Sequence, residues 1–289
     1  MRWTPGGRSR NLDDLRGQTG GGRMIGGRGM GIGGAVIALI LSLVFGVNIF
    51  DGSGGGGGPV QASPGTVDQP VASTPQEEER IQFVSFVLDD VQKTWAELLP
   101  KLGDQYQEAR LGVFRDAVST ACGDAPAAVG PFYCPADQRV YLDLSFFDEL
   151  ARRFGAPGDF AQAYVVAHEL GHHVQTILGG EAEMREMQRR RPDLANELSV
   201  RFELQADCFA GVWANSTSQR RLLESGDVDE ALGAASAVGD DRIQAQTTGR
   251  IRPETFTHGS AAQRAQWFRR GMQSGDPNVC DTFGGLGRS

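Results

Sequence analysis

The sequence is poor in residues that bind transition metals: its 289 residues include four histidines and four cysteines. The cysteines are Cys122, Cys134, Cys208 and Cys280, and no two of them form a Cys-x-x-Cys pair, which argues against a cysteine-based zinc site. Outside the cytosol an even number of cysteines favours disulfides. Sequence proximity then pairs Cys122 with Cys134 and leaves Cys208 with Cys280; the alternative is four buried free thiols.

The chain also lacks an excess of basic residues, since its formal net charge is -8. Six arginines against two aspartates leave residues 1–30 at about +4, so the remainder carries about -12. Binding of nucleic acid needs a concentrated basic face. The acidic remainder therefore excludes nucleic acid as the main partner.

The first 75 residues differ in composition from the rest. Residues 1–30 are rich in glycine and arginine without hydrophobic periodicity, and we predict a disordered cytoplasmic tail there. Residues 31–50 lie in an uncharged stretch of 22 residues that as a helix would span about 33 Å, enough for a bilayer core of about 30 Å. Residues 51–75 are rich in Gly, Ser and Pro, which is typical of a flexible linker.

We therefore predict a single transmembrane helix over residues 31–50, and weigh two alternatives. A cleaved signal peptide would need a small-residue cleavage site, whereas Asp51 and a run of glycines follow the apolar residues. A buried core helix is disfavoured by polar, glycine-rich flanks. The arginines precede the apolar run, so the positive-inside rule places the N-terminus in the cytoplasm and residues 76–289 outside the cytoplasmic membrane.

Residues 76–289 have the patterns of one α+β domain, mainly α, with a small β-sheet. The stretch Val140–Leu144 alternates apolar and polar residues and predicts a strand. It could form a hairpin with Pro131–Tyr133 and offer an exposed edge to a peptide substrate. The charged residues 181–191 indicate a solvated helix face. Apolar periodicity predicts four helices, with a capping box at Ser260 and Gln263 starting the last: residues 77–99, 160–178, 193–213 and 260–272.

The motif His168-Glu169-Leu170-Gly171-His172 lies in the second of these helices. His168 and His172 are four residues apart, so they project from one helix face and can bind one zinc ion. Glu169 can take a proton from a zinc-bound water, whose pKa the ion lowers to about 7. Gly171 costs roughly 1 kcal/mol relative to alanine in a helix interior, which close packing near a metal would explain. The alternative is an ordinary core helix with two solvent-facing histidines.

A third zinc ligand must come from elsewhere in the chain. Gln175 and Leu178 occupy the positions where the metzincin motif has glycine and histidine, so that class is excluded. Glu203 and Asp207 are four residues apart in a largely apolar predicted helix. We predict Glu203 as the third ligand and Asp207 as the acceptor that fixes the tautomer of His168. The alternative is that either acid merely solvates the helix.

Three other side chains near the motif need an interpretation. His173 points about 100° away from His172 on a helix, which makes it a surface or packing residue. His258, just before the last helix, could stabilise a tetrahedral oxyanion, or could be an ordinary loop histidine. Tyr164 lies one turn before His168 and is better explained as a core tyrosine.

Five segments of the chain share the pattern of one known family: residues 120–134 with Pro135, 140–147, 167–175, 203–211 and 257–268. Together, over about residues 76–284, they resemble the bacterial neutral zinc metallopeptidase family. The resemblance implies an N-terminal membrane span, a single HExxH domain and a gluzincin-like, zincin-type site. It also implies that His168, His172 and Glu203 bind zinc, that Glu169 is catalytic and that His258 is important.

The sequence thus predicts a Zn²⁺-dependent endopeptidase that cleaves proteins or peptides outside the cytoplasmic membrane. Glu169 would be its general base and His258 a second catalytic residue. One alternative is a catalytically silent zinc-binding envelope scaffold that recruits partners, but retention of zinc alone does not require Glu169. Cleavage of peptide cross-links in the cell wall is a further possibility, although no recognisable wall-binding repeat is present.

Overall fold

The fold is mainly helical α+β, in a computed structural model that describes residues 1–17 and 72–284. The strands are β1 (Leu12–Asp14), β2 (Arg110–Phe114), β3 (Ala117–Thr120), β4 (Gly123–Pro126), β5 (Phe132–Cys134) and β6 (Arg139–Asp143). The helices are α1 (Pro75–Leu98), α2 (Ser145–Arg152), α3 (Asp159–Ile177), α4 (Gly180–Arg190), α5 (Ala195–Gln219), α6 (Asp227–Ala237), α7 (Asp240–Thr247) and α8 (Ala261–Ser274).

The four helices predicted from periodicity are confirmed as α1, α3, α5 and α8. Helix α8 begins with the predicted capping box, in which Ser260 and Gln263 each accept a hydrogen bond from the other's backbone N–H. Helix α3 is the central element and packs against α1, α5 and α6. Aromatic pairs fill the core between them, such as Phe160 stacked on Trp213 with ring centroids 5.4 Å apart. The charged residues 181–191 form α4, which buries no residue.

The main sheet has the strand order β1-β2-β6-β5. Strands β1, β2 and β6 are parallel, and β5 pairs with β6 in the predicted antiparallel hairpin. The predicted strand over Val140–Leu144 is confirmed as β6, but the expectation that it offers a free edge is wrong. It lies between β2 and β5, so β5 is the edge strand on that side.

Helices α5 and α8 cross at unusually short range, at two glycines. A Cβ atom added to Gly211 of α5 would lie 2.0 Å from the carbonyl oxygen of Phe268. A Cβ atom added to Gly271 of α8 would lie 2.0 Å from the carbonyl oxygen of Cys208. The two backbones are therefore in direct contact. A residue larger than glycine at either position would force one of the helices to move.

Both predicted disulfides are confirmed, and the free-thiol alternative is wrong. Cys122–Cys134 ties the turn between β3 and β4 to the edge strand β5, with the Cα atoms 5.9 Å apart. Cys208–Cys280 ties the middle of α5 to the segment after α8, with the Cα atoms 5.6 Å apart.

The prediction that the fold starts with a transmembrane helix is wrong, because its first element is strand β1. The prediction of a disordered tail also fails for residues 1–17, which we call the N-terminal strap. The strap pairs with β2, and its Met1 side chain is part of the core at 5% exposure. The glycine- and arginine-rich composition of this segment indicated disorder. Its apolar and charged side chains nevertheless contact residues in distant parts of the domain.

No helix within residues 1–17 and 72–284 combines the length and the apolar character that crossing a bilayer requires. The predicted span over residues 31–50 lies outside the described residues, as does the predicted linker up to residue 71.

Candidate zinc site

The site is built where α3 and α5 pack face to face. Helix α3 carries His168, Glu169 and His172, and α5 carries Glu203. Gly171 lets the two helices approach, because a Cβ atom on it would lie 3.0 Å from the carbonyl oxygen of Ala206. Glycine at this position lowers the stability of the helix, and the close packing of α3 against α5 explains its presence, as the sequence suggested.

The three predicted zinc ligands converge on one point. The Nε2 atom of His168 lies 3.2 Å from Oε2 of Glu203, and Nε2 of His172 lies 3.5 Å from Oε1 of the same carboxylate. Candidate ligand atoms of all three residues lie within 4.8 Å of one another. Zinc bonds of about 2.05 Å at tetrahedral angles separate two ligands by about 3.4 Å. The spacing of these atoms therefore fits one zinc ion.

Both histidines also have a partner that orients the other ring nitrogen. Nδ1 of His168 lies 2.9 Å from Oδ1 of Asp207, and Nδ1 of His172 lies 2.8 Å from Oε1 of Gln175. An oxygen acceptor at Nδ1 keeps the proton there and leaves the lone pair of Nε2 for the metal. The donor set is therefore prepared for an ion, and Asp207 has the neighbour predicted for it.

Asp207 is fully buried and its charge is balanced by Arg264 of α8. Nε of Arg264 lies 2.8 Å from Oδ2, and the hydroxyl of Tyr164 donates to Oδ1. Burial alone would raise the pKa of Asp207, but the guanidinium and His168 hold it below its ordinary value. Tyr164 is thus a core residue as expected, with its hydroxyl bound to the carboxylate that orients His168. The carboxylate stays ionised and remains an acceptor.

Gln175 has a role that the sequence reasoning missed, since it used this residue only to exclude the metzincin pattern. Its amide nitrogen donates to the carbonyl of Phe202 at 2.7 Å and to Oε1 of Gln205 at 2.9 Å. Gln205 in turn donates to the carbonyl of Cys280 at 3.0 Å. These bonds fix which way the Gln175 amide faces. A glutamine three residues after His172, on the same helix face, was the available signal.

Replacing Gln175 with leucine should weaken zinc binding about 10- to 100-fold, because His172 loses the acceptor that fixes its tautomer. Competition with a chromogenic chelator measures this affinity. Gln92→Leu, at an equally buried glutamine of α1, is the matched control and should cost stability without changing zinc affinity. Equal zinc affinity in Gln175→Leu and wild type would show that Gln175 only packs.

Glu169 follows His168 on α3 and is buried at 8% exposure. Burial raises the pKa of its carboxyl group, while the charges of His168 and His172 oppose the rise. A carboxylate with a raised pKa is a better proton acceptor near neutral pH than a solvated one. The environment therefore suits the predicted general base.

His258 lies in a loop that one carboxylate organises. Oδ2 of Asp240, at the start of α7, accepts the backbone N–H groups of Thr257, His258 and Gly259 at 2.7, 2.7 and 3.1 Å. Its Oδ1 atom lies 3.2 Å from Nδ1 of His258. Burial lowers the pKa of His258, but the carboxylates of Glu203 and Asp240 outweigh it and raise the pKa. His258 is thus held near Glu203, and Asp240, absent from the sequence interpretation, holds it.

His173 points away from the zinc ligands and is fully buried, so the packing interpretation is confirmed. Its Nδ1 atom lies 3.0 Å from the hydroxyl of Tyr133 on β5, and its Nε2 atom lies 2.6 Å from the carbonyl of Gln107. The residue next to His172 therefore joins α3 to the edge strand.

A second acidic group within the described residues comprises Asp159, Asp227 and Glu230. It contains no histidine, and the amino group of Met1 lies 2.5 Å from Asp159 and 3.3 Å from Asp227. Its negative charge is thus already engaged.

The chain is similar to one described protein family and to proteins of several bacteria. The profile of the family described as "Putative neutral zinc metallopeptidase" matches residues 1–283. The "Uncharacterized protein YpfJ" of Escherichia coli strain K12 is 47% identical over 289 residues, covering 98% of this chain and 99% of the relative. An uncharacterized protein of Mycobacterium tuberculosis strain H37Rv is 49% identical over 208 residues, covering 68% of each chain. No solved structure matches the chain.

Proposed function

The chain belongs to the neutral zinc metallopeptidase family, and from that premise we propose that it is a zinc-dependent endopeptidase acting on proteins or peptides. One observation carries the proposal. One ligand atom each of His168, His172 and Glu203 lies within 4.8 Å of the other two, close enough to share one zinc ion, and both histidines have an acceptor at Nδ1.

Each residue of the site would have its own role in peptide hydrolysis. His168, His172 and Glu203 would hold a zinc ion, which when bound supplies a Lewis acid and an acidified water. Glu169 accepts the proton of the attacking water and passes it to the leaving amine. His258, held by Asp240, donates a hydrogen bond to the oxygen that becomes negative in the tetrahedral intermediate.

The edge strand β5 supports an extended peptide as the substrate. Its hydrogen bonds to β6 use one side of the strand, and the sheet order leaves its other side without a strand partner among the described residues. An extended chain can pair with such an edge through its backbone, whatever its side chains. Tyr133 connects this strand through His173 to the zinc helix. A substrate backbone bound there would pair with a strand that contacts the helix of the HExxH motif.

The two disulfides support a compartment outside the cytosol, because cytosolic reductants keep thiols reduced. We place the substrates in the same oxidising compartment.

Metal analysis of the purified protein tests the assigned ligands. Wild type should contain about one zinc per chain, and Glu203→Ala should lose it, because two histidines alone hold zinc too weakly. Glu197→Ala is the matched control, since Glu197 lies on the same helix, is exposed and pairs with half-buried Arg201. Full zinc occupancy in Glu203→Ala would overturn the ligand set.

His258→Phe should lower kcat about 10²- to 10³-fold while zinc content and KM change little, because the lost hydrogen bond forms only in the transition state. Asp240→Asn should give a smaller fall in kcat, since its side chain still reaches the loop. Steady-state kinetics on a quenched fluorescent peptide measure both. An unchanged kcat in His258→Phe would favour the interpretation of an ordinary loop histidine.

A further inference from the structure

The N-terminal strap is joined to the domain through its backbone at well-separated points. Strand β1 forms a ladder of three residue pairs with β2, which adds a fourth strand to the main sheet. The first residues of the strap reach the loop after α5 on another side of the domain. The bonds beyond the ladder are Arg2 N to Leu222 O at 2.7 Å, Leu111 N to Asn11 O at 2.8 Å and Leu15 N to Val113 O at 2.7 Å.

The strap also buries apolar side chains in the domain. Trp3 packs edge-on against Phe83 of α1, with ring centroids 5.3 Å apart, and also contacts Phe86. Met1 joins the main hydrophobic core, at 5% exposure. Removing apolar side chains from water stabilises such contacts. The strap is thus a packed part of the fold.

Charges on the strap match charges on the domain. Arg8 pairs with Glu78 at 2.7 Å and Arg10 pairs with Glu108 at 2.9 Å, while Asp13 accepts from Arg139 at 3.0 Å. These solvent-accessible pairs each add little energy. They link different residues of the strap to different parts of the domain, namely α1, the segment before β2, and β6, which favours a single register of the strap.

The end of the strap contacts the residues just before α1. The Arg16 side chain is 2% exposed, and its Nη1 atom lies 3.0 Å from Oγ of Ser73. Its hydrogen bonds to Asp14 lower the pKa of that carboxyl group to about 2. Residues 16 and 73 are therefore in direct contact, although 56 residues separate them in the chain.

We propose that the strap, residues 1–17, is a permanent part of the catalytic domain and shares one compartment with residues 72–284. Hydrogen bonds of about 3 Å and a shared hydrophobic core cannot form across a bilayer core of about 30 Å. The arrangement expected from the positive-inside rule, with residues 1–30 in the cytoplasm and residues 76–289 outside, places the two partners on opposite sides. The contacts require the same side for both.

Accessibility labelling of the full chain in a Gram-negative host tests the compartment. Arg10→Cys marks the strap and Lys101→Cys marks the domain; Arg10 has a side-chain exposure of 79%, and Lys101 is also exposed. All four native cysteines are in disulfides, so a membrane-impermeant maleimide reports the new thiol alone. With the outer membrane permeabilised, both variants should give the same ratio of labelling before and after lysis. Labelling of one variant before lysis and of the other only after lysis would overturn the proposal.

Cross-linking of the purified full chain tests docking independently of the compartment. Oγ of Ser9 lies 2.6 Å from Oδ1 of Asp89, so Ser9→Cys with Asp89→Cys should form a disulfide. With a specific protease site inserted after Gly56, the two fragments should stay joined on a non-reducing gel and separate on a reducing gel. Each single variant is the control and should separate on both gels. Separation of the double variant without reductant would show that the strap is not docked.

Discussion

Replacing Glu169 with glutamine is expected to lower kcat/KM for peptide cleavage by about 10²- to 10⁴-fold while zinc stays bound. Glutamine preserves the shape of the buried side chain but cannot accept the proton of the attacking water. The three zinc ligands are untouched, because Glu169 is separate from the converging atoms of His168, His172 and Glu203. Casein or a peptide library provides the cleavage assay, and metal analysis of the same preparation provides the zinc content.

This variant separates the enzyme from a zinc-binding scaffold. If the protein is an endopeptidase, both Glu169→Gln and Glu203→Ala lose cleavage activity. Only Glu203→Ala also loses zinc. A scaffold would have no turnover to lose. Equal cleavage by wild type and Glu169→Gln would contradict the proposed mechanism. It would indicate a contaminating protease or a different residue as the general base.

Gly271→Ala is expected to destabilise the protein by about 1–3 kcal/mol, because its Cβ atom would overlap the carbonyl oxygen of Cys208. Helix α8 must then move away from α5, and Arg264 moves with it. Because Arg264 balances the charge of Asp207, we also expect weaker zinc binding. Thermal unfolding should show a Tm lower by about 2–10 °C for a domain of this size.

Gly233→Ala is the matched control for this prediction. Gly233 also lies within a helix, α6, and a Cβ atom added there meets nothing within 4 Å. The substitution should stabilise the protein by roughly 0.5–1 kcal/mol through the lower helical cost of alanine. If both variants shift Tm by the same amount and in the same direction, the short helix crossing is not what makes Gly271 sensitive.

The core of the site could be predicted because it follows helical spacing. His168 with His172, and Glu203 with Asp207, each repeat at four residues inside apolar segments. Two such pairs on two helices supply the three candidate zinc ligands and the acid that contacts Nδ1 of His168. The disulfide pairing also followed from proximity, since the sequence separation of Cys122 and Cys134 is only 12.

The supporting residues could not be predicted because they come from elements distant in the chain. Arg264 is 57 residues from Asp207, and Asp240 is 18 residues from His258. Each is a single polar residue without a periodic partner, so no local pattern marks it. Only the packing of α8 against α5, and of α7 against α8, brings them to the site.

The N-terminal strap and the sheet order escaped prediction for similar reasons. Strand β1 has three residues, too few for alternation to be recognised, and it lies in a glycine- and arginine-rich segment. Periodicity identifies β6 as a strand but does not say which strands flank it. The sequence therefore leaves open which strand has a free edge, and in the structure β5 is the edge strand next to β6.

The disulfide between Cys208 and Cys280 encloses a covalent loop with a sequence separation of 72 residues. That loop contains α6, α7 and α8, and with them Asp240, His258 and Arg264. Closing a loop of this length removes about 4 kcal/mol of chain entropy from the unfolded state. The parts of the site that lie farthest from the zinc motif in sequence are therefore tethered to α5 even when their packing opens. Reduction of this disulfide would therefore leave Asp240, His258 and Arg264 joined to α5 by noncovalent packing and the polypeptide chain alone.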